Sequence, residues 1–249
     1  VPGNAYLGVM LPYAPVHHLL LEANDIWVMT SANSSDEPIA YDDGDAKERL
    51  TKLADYFLVH NRDIHQPSDD SVVRVIQEKE YVLRRSRGYA PSPIKLSREI
   101  SPILAVGGEV KNAFCLTKGH FAFMSPHIGD LGNLETYTSY LRAIDHYKRI
   151  FSMEPSFVAY DLHPDYAATK YAVNLPIPQF GVQHHHAHIA SVLAEHGLAG
   201  QVIGIAFDGT GYGADGNLWG GEFLVADCCN FIRAGHCKYL PLPGGEKAI

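Results

Sequence analysis

The run Gln183-His184-His185-His186-Ala187-His188-Ile189 is followed, after a short apolar stretch, by Val202-Ile203-Gly204-Ile205-Ala206-Phe207-Asp208-Gly209-Thr210-Gly211-Tyr212-Gly213. The first segment continues through Ala190–Glu195 with apolar residues at helical spacing and stops at Gly197, so it reads as a helix. The second reads as a strand running into a glycine-rich turn over Asp208–Gly216. On a helix, His184 and His188 stand at i and i+4, and both imidazoles project from one face. That spacing allows two histidines to hold one divalent metal. Asp208, closing the strand, is the nearest candidate for a third ligand. A His-rich turn can equally be a plain polar surface. Position 185 is His rather than Glu, so the pattern is not the His-Glu-x-x-His of zinc proteases, and no general base lies between the ligands.

The flanking pattern places the helix and the strand in a larger fold. Strands are expected at Ile103–Val106, Asn112–Thr117 and His120–Met124, with Gly107-Gly108 at the first bend. A helix follows over Leu134–Phe151, with Leu134, Tyr137, Leu141, Ile144, Tyr147 and Ile150 as its apolar stripe. Then come a strand at Phe157–Tyr160 ending at Asp161, a helix at Tyr166–Val173 and a strand at Pro178–Val182 entering the histidines. After them the order restarts with Val202–Phe207 and its hairpin partner Leu218–Ala226. The β-β-β-α-β-α-β-α order with a restart is that of the actin and sugar-kinase type of ATP-binding fold, whose lobes have a ribonuclease-H-type sheet. There the glycine turn of each lobe approaches nucleotide phosphates. Gly209 and Gly211, with Gly213 and Gly216, permit such an approach and a positive φ. The fold class is α/β.

Residues 1–97 read as a separate α+β block. Strands are expected at Tyr6–Pro12, Ile26–Met29 and Tyr56–His60, short helices at His17–Glu22 and Ala46–Leu53, and a hairpin at Ser71–Val75 and Glu80–Arg84. Thr30-Ser31-Ala32-Asn33-Ser34-Ser35 follows the second strand. It could cradle an anion on backbone N–H groups, or be an ordinary polar turn. Arg84-Arg85-Ser86-Arg87 could clamp phosphate through guanidinium groups, or form a solvated charged edge. Ala90-Pro91-Ser92-Pro93 reads as a linker, which divides the chain into 1–97 and 98–249.

Composition narrows the function classes. The chain has 249 residues, 46% apolar and 19% charged, which supports a substantial core and argues against disorder. A net charge of −8 carries no basic footprint for nucleic-acid phosphates. No apolar run approaches the roughly 18 residues of a membrane span. Cys115, Cys228, Cys229 and Cys237 form no Cys-x-x-Cys pair, and most are expected to be reduced core residues of a cytoplasmic protein. The first residue is Val1, and Gly244–Ile249 reads as a loop leading into more structure. The chain is therefore expected to be a piece of a longer polypeptide.

The motifs Leu7-Gly8-Val9-Met10-Leu11-Pro12-Tyr13, Thr30–Asn33, His60-Asn61-Arg62-Asp63-Ile64, Arg84-Arg85-Ser86-Arg87-Gly88-Tyr89-Ala90-Pro91, Gln183–His188 and Phe207–Gly213 occur in the order found in one family. The chain resembles the HypF family, carbamoyltransferases of [NiFe]-hydrogenase maturation. The resemblance implies that residues 1–97 are the C-terminal part of a YrdC-like domain and that residues 98–249 begin a TsaD-like domain. It implies ATP, with Mg2+, activating carbamoyl phosphate to a carbamoyl adenylate. The carbamoyl group then passes to the C-terminal cysteine of the partner HypE. It assigns His184, His188 and Asp208 to one zinc or iron ion, Ser31 and Asn33 to nucleotide and acyl group, and Arg85 and Arg87 to phosphate. The family's acylphosphatase-like domain, zinc fingers, Lys-x-Arg motif and fourth metal ligand have no counterpart in these residues, so the resemblance implies that the chain is inactive by itself. Two other readings share the pattern: a tRNA threonylcarbamoyl-transfer enzyme, and a non-catalytic nucleotide-binding module of the sugar-kinase superfamily.

Overall fold

A computed structural model describes residues 5–33 and 37–241. The chain forms two compact units, residues 1–32 and residues 33–249. In the first unit the regular element is helix α1, Pro15–Leu20. The strands expected at Tyr6–Pro12 and Ile26–Met29 do not form, and neither does Tyr56–His60 in the second unit. Ile26 is 93% and Val28 100% exposed. A strand is defined by the ladder it joins, and these segments have the side-chain pattern of strands but join no ladder among the described residues. The Ser34 and Ser35 end of the expected anion cradle lies outside the described residues, as does the expected Gly244–Ile249 loop.

In the second unit, helix α2 spans Asp43–Leu50. Asp42 caps it, its carboxylate accepting from the N–H groups of Gly44 and Asp45. Strands β1 (Val72–Ile76) and β2 (Lys79–Arg84) form the expected hairpin. Gln77 and Glu78 both take positive φ, as a two-residue hairpin turn with the strands' twist requires.

The main sheet has five strands in the order β3-β5-β4-β6-β7. These are β3 (Ile94–Ile100), β4 (Ile103–Ala105), β5 (Cys115–Met124), β6 (Phe157–Asp161) and β7 (Gln179–Val182). Two of its features differ from the sequence reading. The segments Asn112–Thr117 and His120–Met124 are not two strands but one, because Gly119, at φ +59, passes through the ladder without turning the chain. The third antiparallel position is filled instead by β3, which pairs with β5 across Ile94↔Ala122 and Lys95↔Phe121. The residue pair 97/98 therefore lies inside β3. Beyond β4 the sheet is parallel, with Ala105 opposite Ala159 and Asp161 opposite Val182.

Helices α3 (Leu134–Ile150) and α4 (Ala167–Val173) pack on this sheet. Asn133 caps α3 by accepting from Thr136 N–H at 2.7 Å. The buried face of α3 carries Tyr140, Ala143, Ile144 and Tyr147, packed on Leu104, Val106, Phe114 and Val158. The stripe read from the sequence overreaches at its ends. Leu134 is 73% exposed and Ile150 about half exposed, so the core contact is made by the middle of the helix.

Helix α5 (His184–Glu195) lies against the hairpin β8 (Val202–Tyr212) and β9 (Leu218–Ala226), which β10 (Phe231–His236) extends. The expected turn at Asp208–Gly216 is shorter than predicted. After an irregularity at Phe207–Gly211, β8 pairs again through Gly211↔Trp219 and Tyr212↔Leu218. The bend occupies residues 213–217, with Gly216 at φ +78. Gly204 lets the helix approach, since a Cβ there would stand 2.5 Å from Ile189 Cγ1. Of the cysteines, Cys115 is half-buried, but Cys228, Cys229 and Cys237 are exposed. They belong to the edge segments around β10, which contradicts the expectation of core thiols.

Candidate metal centre

The parallel strands set the site. β6 ends at Asp161, and β7, its neighbour, runs directly into α5. The first turn of α5 thus opens at the C-terminal edge of the sheet, where ligand sites of parallel sheets gather. Gln183 caps the helix, its Oε1 accepting from His186 N–H at 2.9 Å. His185, His186, Ile189 and Leu193 face inward, and His184 and His188 share the adjacent face. β8 delivers Asp208 opposite them.

Three ligand atoms converge. His184 Nε2 lies 3.1 Å from His188 Nε2. Asp208 Oδ2 is 3.2 Å from the first and 3.4 Å from the second. Ligand atoms bound about 2.0–2.2 Å from a tetrahedral ion stand roughly 3.4 Å apart, so the triangle is the size a single ion needs. Asp208 Oδ2 is buried and, among the described residues, makes no hydrogen bond of regular geometry, although both ring nitrogens lie within ion-pair distance of it. Burying a carboxylate oxygen is costly, and where those nitrogens carry no proton a cation is the group that satisfies it. These residues fit a divalent metal.

Neighbouring groups orient the ligands. Asp161 Oδ2 is 2.6 Å from His184 Nδ1, while Asp161 Oδ1 accepts from His163 N–H at 2.8 Å. A proton on His184 Nδ1 leaves Nε2 as the lone pair aimed into the triangle. The hydrogen bond to Asp161, followed by the attraction of Asp208, raises the His184 pKa to about 9 against the opposing effect of burial. Burial works to raise the Asp208 pKa, but His184, His185 and His188 outweigh it and hold the carboxyl well below the usual carboxylate range. His185 Nε2 binds Asp208 Oδ1 at 2.8 Å.

With this geometry in place, the chain was compared with known proteins. Family models match residues 98–195 (HypF Kae1-like domain), 1–86 (Sua5/YciO/YrdC, described as telomere recombination) and 204–249 (carbamoyltransferase, Kae1-like domain, second subdomain). Carbamoyltransferase HypF2 of Cupriavidus necator is 46% identical over 99% of this chain and 33% of its own length. Carbamoyltransferase HypF of Synechocystis sp. is 46% identical over 100% of the chain and 33% of its own. The chain belongs to the HypF family. The crystal structure of full-length HypF in its phosphate- and nucleotide-bound form superposes with a TM-score of 0.93 at 56% identity, covering 98% of this chain and 39% of that one. T. kodakarensis HypF gives a TM-score of 0.82 at 45% identity, over 88% and 29%. The α/β fold expected from the sequence is therefore that of HypF, and the chain spans about a third of the length of the curated HypF relatives it matches.

The other candidate residues fall in different places. Gly211 packs against the histidines: a Cβ there would lie 2.5 Å from His185 Cε1 and 2.9 Å from His184 Cδ2. Gly209 faces Gly220, its carbonyl 3.2 Å from where a Gly220 Cβ would sit. Ser31 belongs to the first unit. Asn33 opens the second and donates its side-chain amide to the Glu37 carbonyl at 2.9 Å. Arg85 and Arg87 diverge. Arg85 lines a cavity of about 320 Å3 with Arg84, Lys111, Ser125 and His127; its buried Nε has no hydrogen-bond partner. Arg87 instead pairs with Asp70 and donates to the Ser68 carbonyl. Sequence reasoning missed Asp161, Gln183 and His185 as members of the site. The available signals were the carboxylate closing β6 and the middle residue of the triple histidine.

Proposed function

We propose that this chain contributes to a HypF-type, ATP-dependent carbamoyltransferase of [NiFe]-hydrogenase maturation. In this reading carbamoyl phosphate is activated to a carbamoyl adenylate, and the carbamoyl group is passed to the C-terminal cysteine of HypE. Residues 1–97 belong to the YrdC-like, adenylate-forming domain and residues 98–249 to the TsaD-like, transferring domain. The observation that carries the reading is the convergence of His184, His188 and Asp208 in a chain of the HypF family. These three would hold one divalent ion, zinc or iron, and such an ion supplies Lewis-acid polarisation of a phosphate or carbamoyl oxygen. Asp208 contributes the site's negative charge, and the two imidazoles ligate as neutral rings. Arg85, with Arg84, Lys111 and His127 around the same cavity, offers positive charge to a phosphate, as acyl-phosphate chemistry requires. Ser31, Asn33, Gly209 and Gly211 remain candidates for ATP and Mg2+. Four unpaired cysteines and the use of ATP favour the cytoplasm. Among the described residues no helix is long and apolar enough to cross a membrane.

The test supplies the intact protein with radiolabelled carbamoyl phosphate, ATP and Mg2+, and offers either HypE or unmodified tRNA as acceptor. Label on the terminal cysteine of HypE, lost in the His184→Ala/His188→Ala double variant, is the expected result. Label on tRNA alone, or transfer unaffected by the double variant, would overturn the reading.

A further inference from the structure

His185 is not one of the three converging ligands, yet it is fully buried between them. Its ring has neighbours on every side that fix its chemistry. The Gln183 side chain accepts from His186 N–H through Oε1, so its amide NH2 faces the other way. There it donates to the Tyr212 carbonyl at 3.2 Å and lies 3.1 Å from His185 Nδ1. A carbonyl oxygen only accepts, which confirms the NH2 at that end. Nδ1 of His185 is therefore an acceptor, and the ring proton sits on Nε2. That N–H points at Asp208 Oδ1, 2.8 Å away. Gly211 backs the ring so closely that even a methyl group would strike Cε1 at 2.5 Å, and Trp219 lies on its flank, 6.0 Å between ring centroids. Water has no access to replace the bond.

We propose that His185 is a positioning residue: its Nε2–H holds one oxygen of Asp208 so that the other is presented to the metal, and Gln183 sets the tautomer that makes this possible. This inference rests on His184, His188 and Asp208 being the ligands. Its physical basis is that a carboxylate free to rotate offers either oxygen or both, whereas one tied at Oδ1 is preset to bind through Oδ2 alone. The buried ring cannot fill the role in its other tautomer, because a bare Nε2 would face a carboxylate oxygen with no proton between them.

The test uses the intact protein stripped of metal. Zn2+ affinity is measured by competition with a chelator, and the visible spectrum of the Co2+-loaded protein reports ligand geometry. Four variants are compared: His185→Phe, which keeps a ring but has no donor; His185→Gln, whose amide N–H can reach the same oxygen; Gln183→Glu, which keeps the oxygen that caps the helix but offers no N–H to Nδ1; and His184→Ala. The expected results are a loss of about 10–100-fold in Zn2+ affinity with His185→Phe, an altered Co2+ spectrum, and recovery of most of the affinity with His185→Gln. Parental affinity and spectrum in a folded His185→Phe protein would overturn the proposal and leave His185 a core residue. Should His185→Phe fail to fold, Gln183→Glu decides, since it leaves the helix cap in place. A several-fold weaker affinity supports the assignment, and an unchanged one overturns it. Parental affinity in His184→Ala would overturn the ligand reading itself, which separates that failure from this one.

Discussion

Asp161 Oδ2 and His184 Nδ1 stand 2.6 Å apart, joining the end of a sheet strand to the first residue of the helix that carries the candidate ligands. The carboxylate fixes which ring nitrogen keeps its proton. His184 therefore presents Nε2 to His188 and Asp208 before any ion arrives, so the cost of ordering the imidazole is met during folding.

Replacing Asp161 with Asn should leave the fold intact, since the amide still accepts from His163 N–H, but its NH2 can face Nδ1 and reverse the tautomer. Metal affinity should fall about 10–100-fold, measured by chelator competition. An unchanged affinity would show that the Asp161 bond serves packing alone.

His184→Ala and His188→Ala each remove one of the three converging atoms. Elemental analysis of protein purified without chelator should give near one metal per chain for the parent and little for either variant. Equal metal in all three would assign the histidines to structure.

The pH dependence of the metal-free protein follows from His184, whose pKa is raised on folding from 6.5 to about 9. A raised pKa means that the folded state holds the proton more tightly. Its stabilising contribution is complete below pH 6.5 and is lost as pH rises through about 9. Thermal melting of the stripped protein should show a fall over that window, and His184→Gln should flatten it. Metal affinity should move the opposite way, strengthening up to about pH 9, because an ion must displace that proton. A melting temperature independent of pH in the parent would contradict the coupling.

Gly211→Ala should destabilise by about 1–3 kcal/mol through overpacking against His185 and His184, read by chemical denaturation. Gly235→Ala on β10, where a Cβ meets nothing within 4 Å, is the control and should change stability little. Equal effects at both positions would mean that the ring contacts relax without cost.

Burial pushes the Cys115 thiol up to about 11, so it stays protonated at pH 8 and resists alkylation. Cys228, Cys229 and Cys237 are exposed and should react first. Mass spectrometry of partly iodoacetamide-treated native protein should find three labelled cysteines before the fourth. Early labelling of Cys115 would place it in an open environment.

The spacing-driven parts of this protein are legible in its sequence. The i,i+4 placement of His184 and His188 and the apolar period at the centre of α3 are local patterns, and each survives in the structure because it needs only the chain's own geometry. The strand read as ending in Asp208 instead runs on to Tyr212, because it pairs with β9 again beyond the irregularity. The order of motifs, from Leu7–Tyr13 to Phe207–Gly213, was likewise enough to indicate the HypF family. What the tertiary structure alone decided are relations between distant segments. β3 took the sheet position assigned to His120–Met124, because ladder partners are chosen by register across the sheet and Gly119 does not force a turn. The apolar runs at Tyr6–Pro12 and Ile26–Met29 join no strand ladder among the described residues, because alternation specifies a face but supplies no neighbour. Asp161 and His185 acquired their place at the site only when the ends of β6 and β7 and the middle of β8 came together around the first turn of α5. Hydrogen bonds between residues 23 apart leave no period in a sequence; they exist only where packing brings the two ends together.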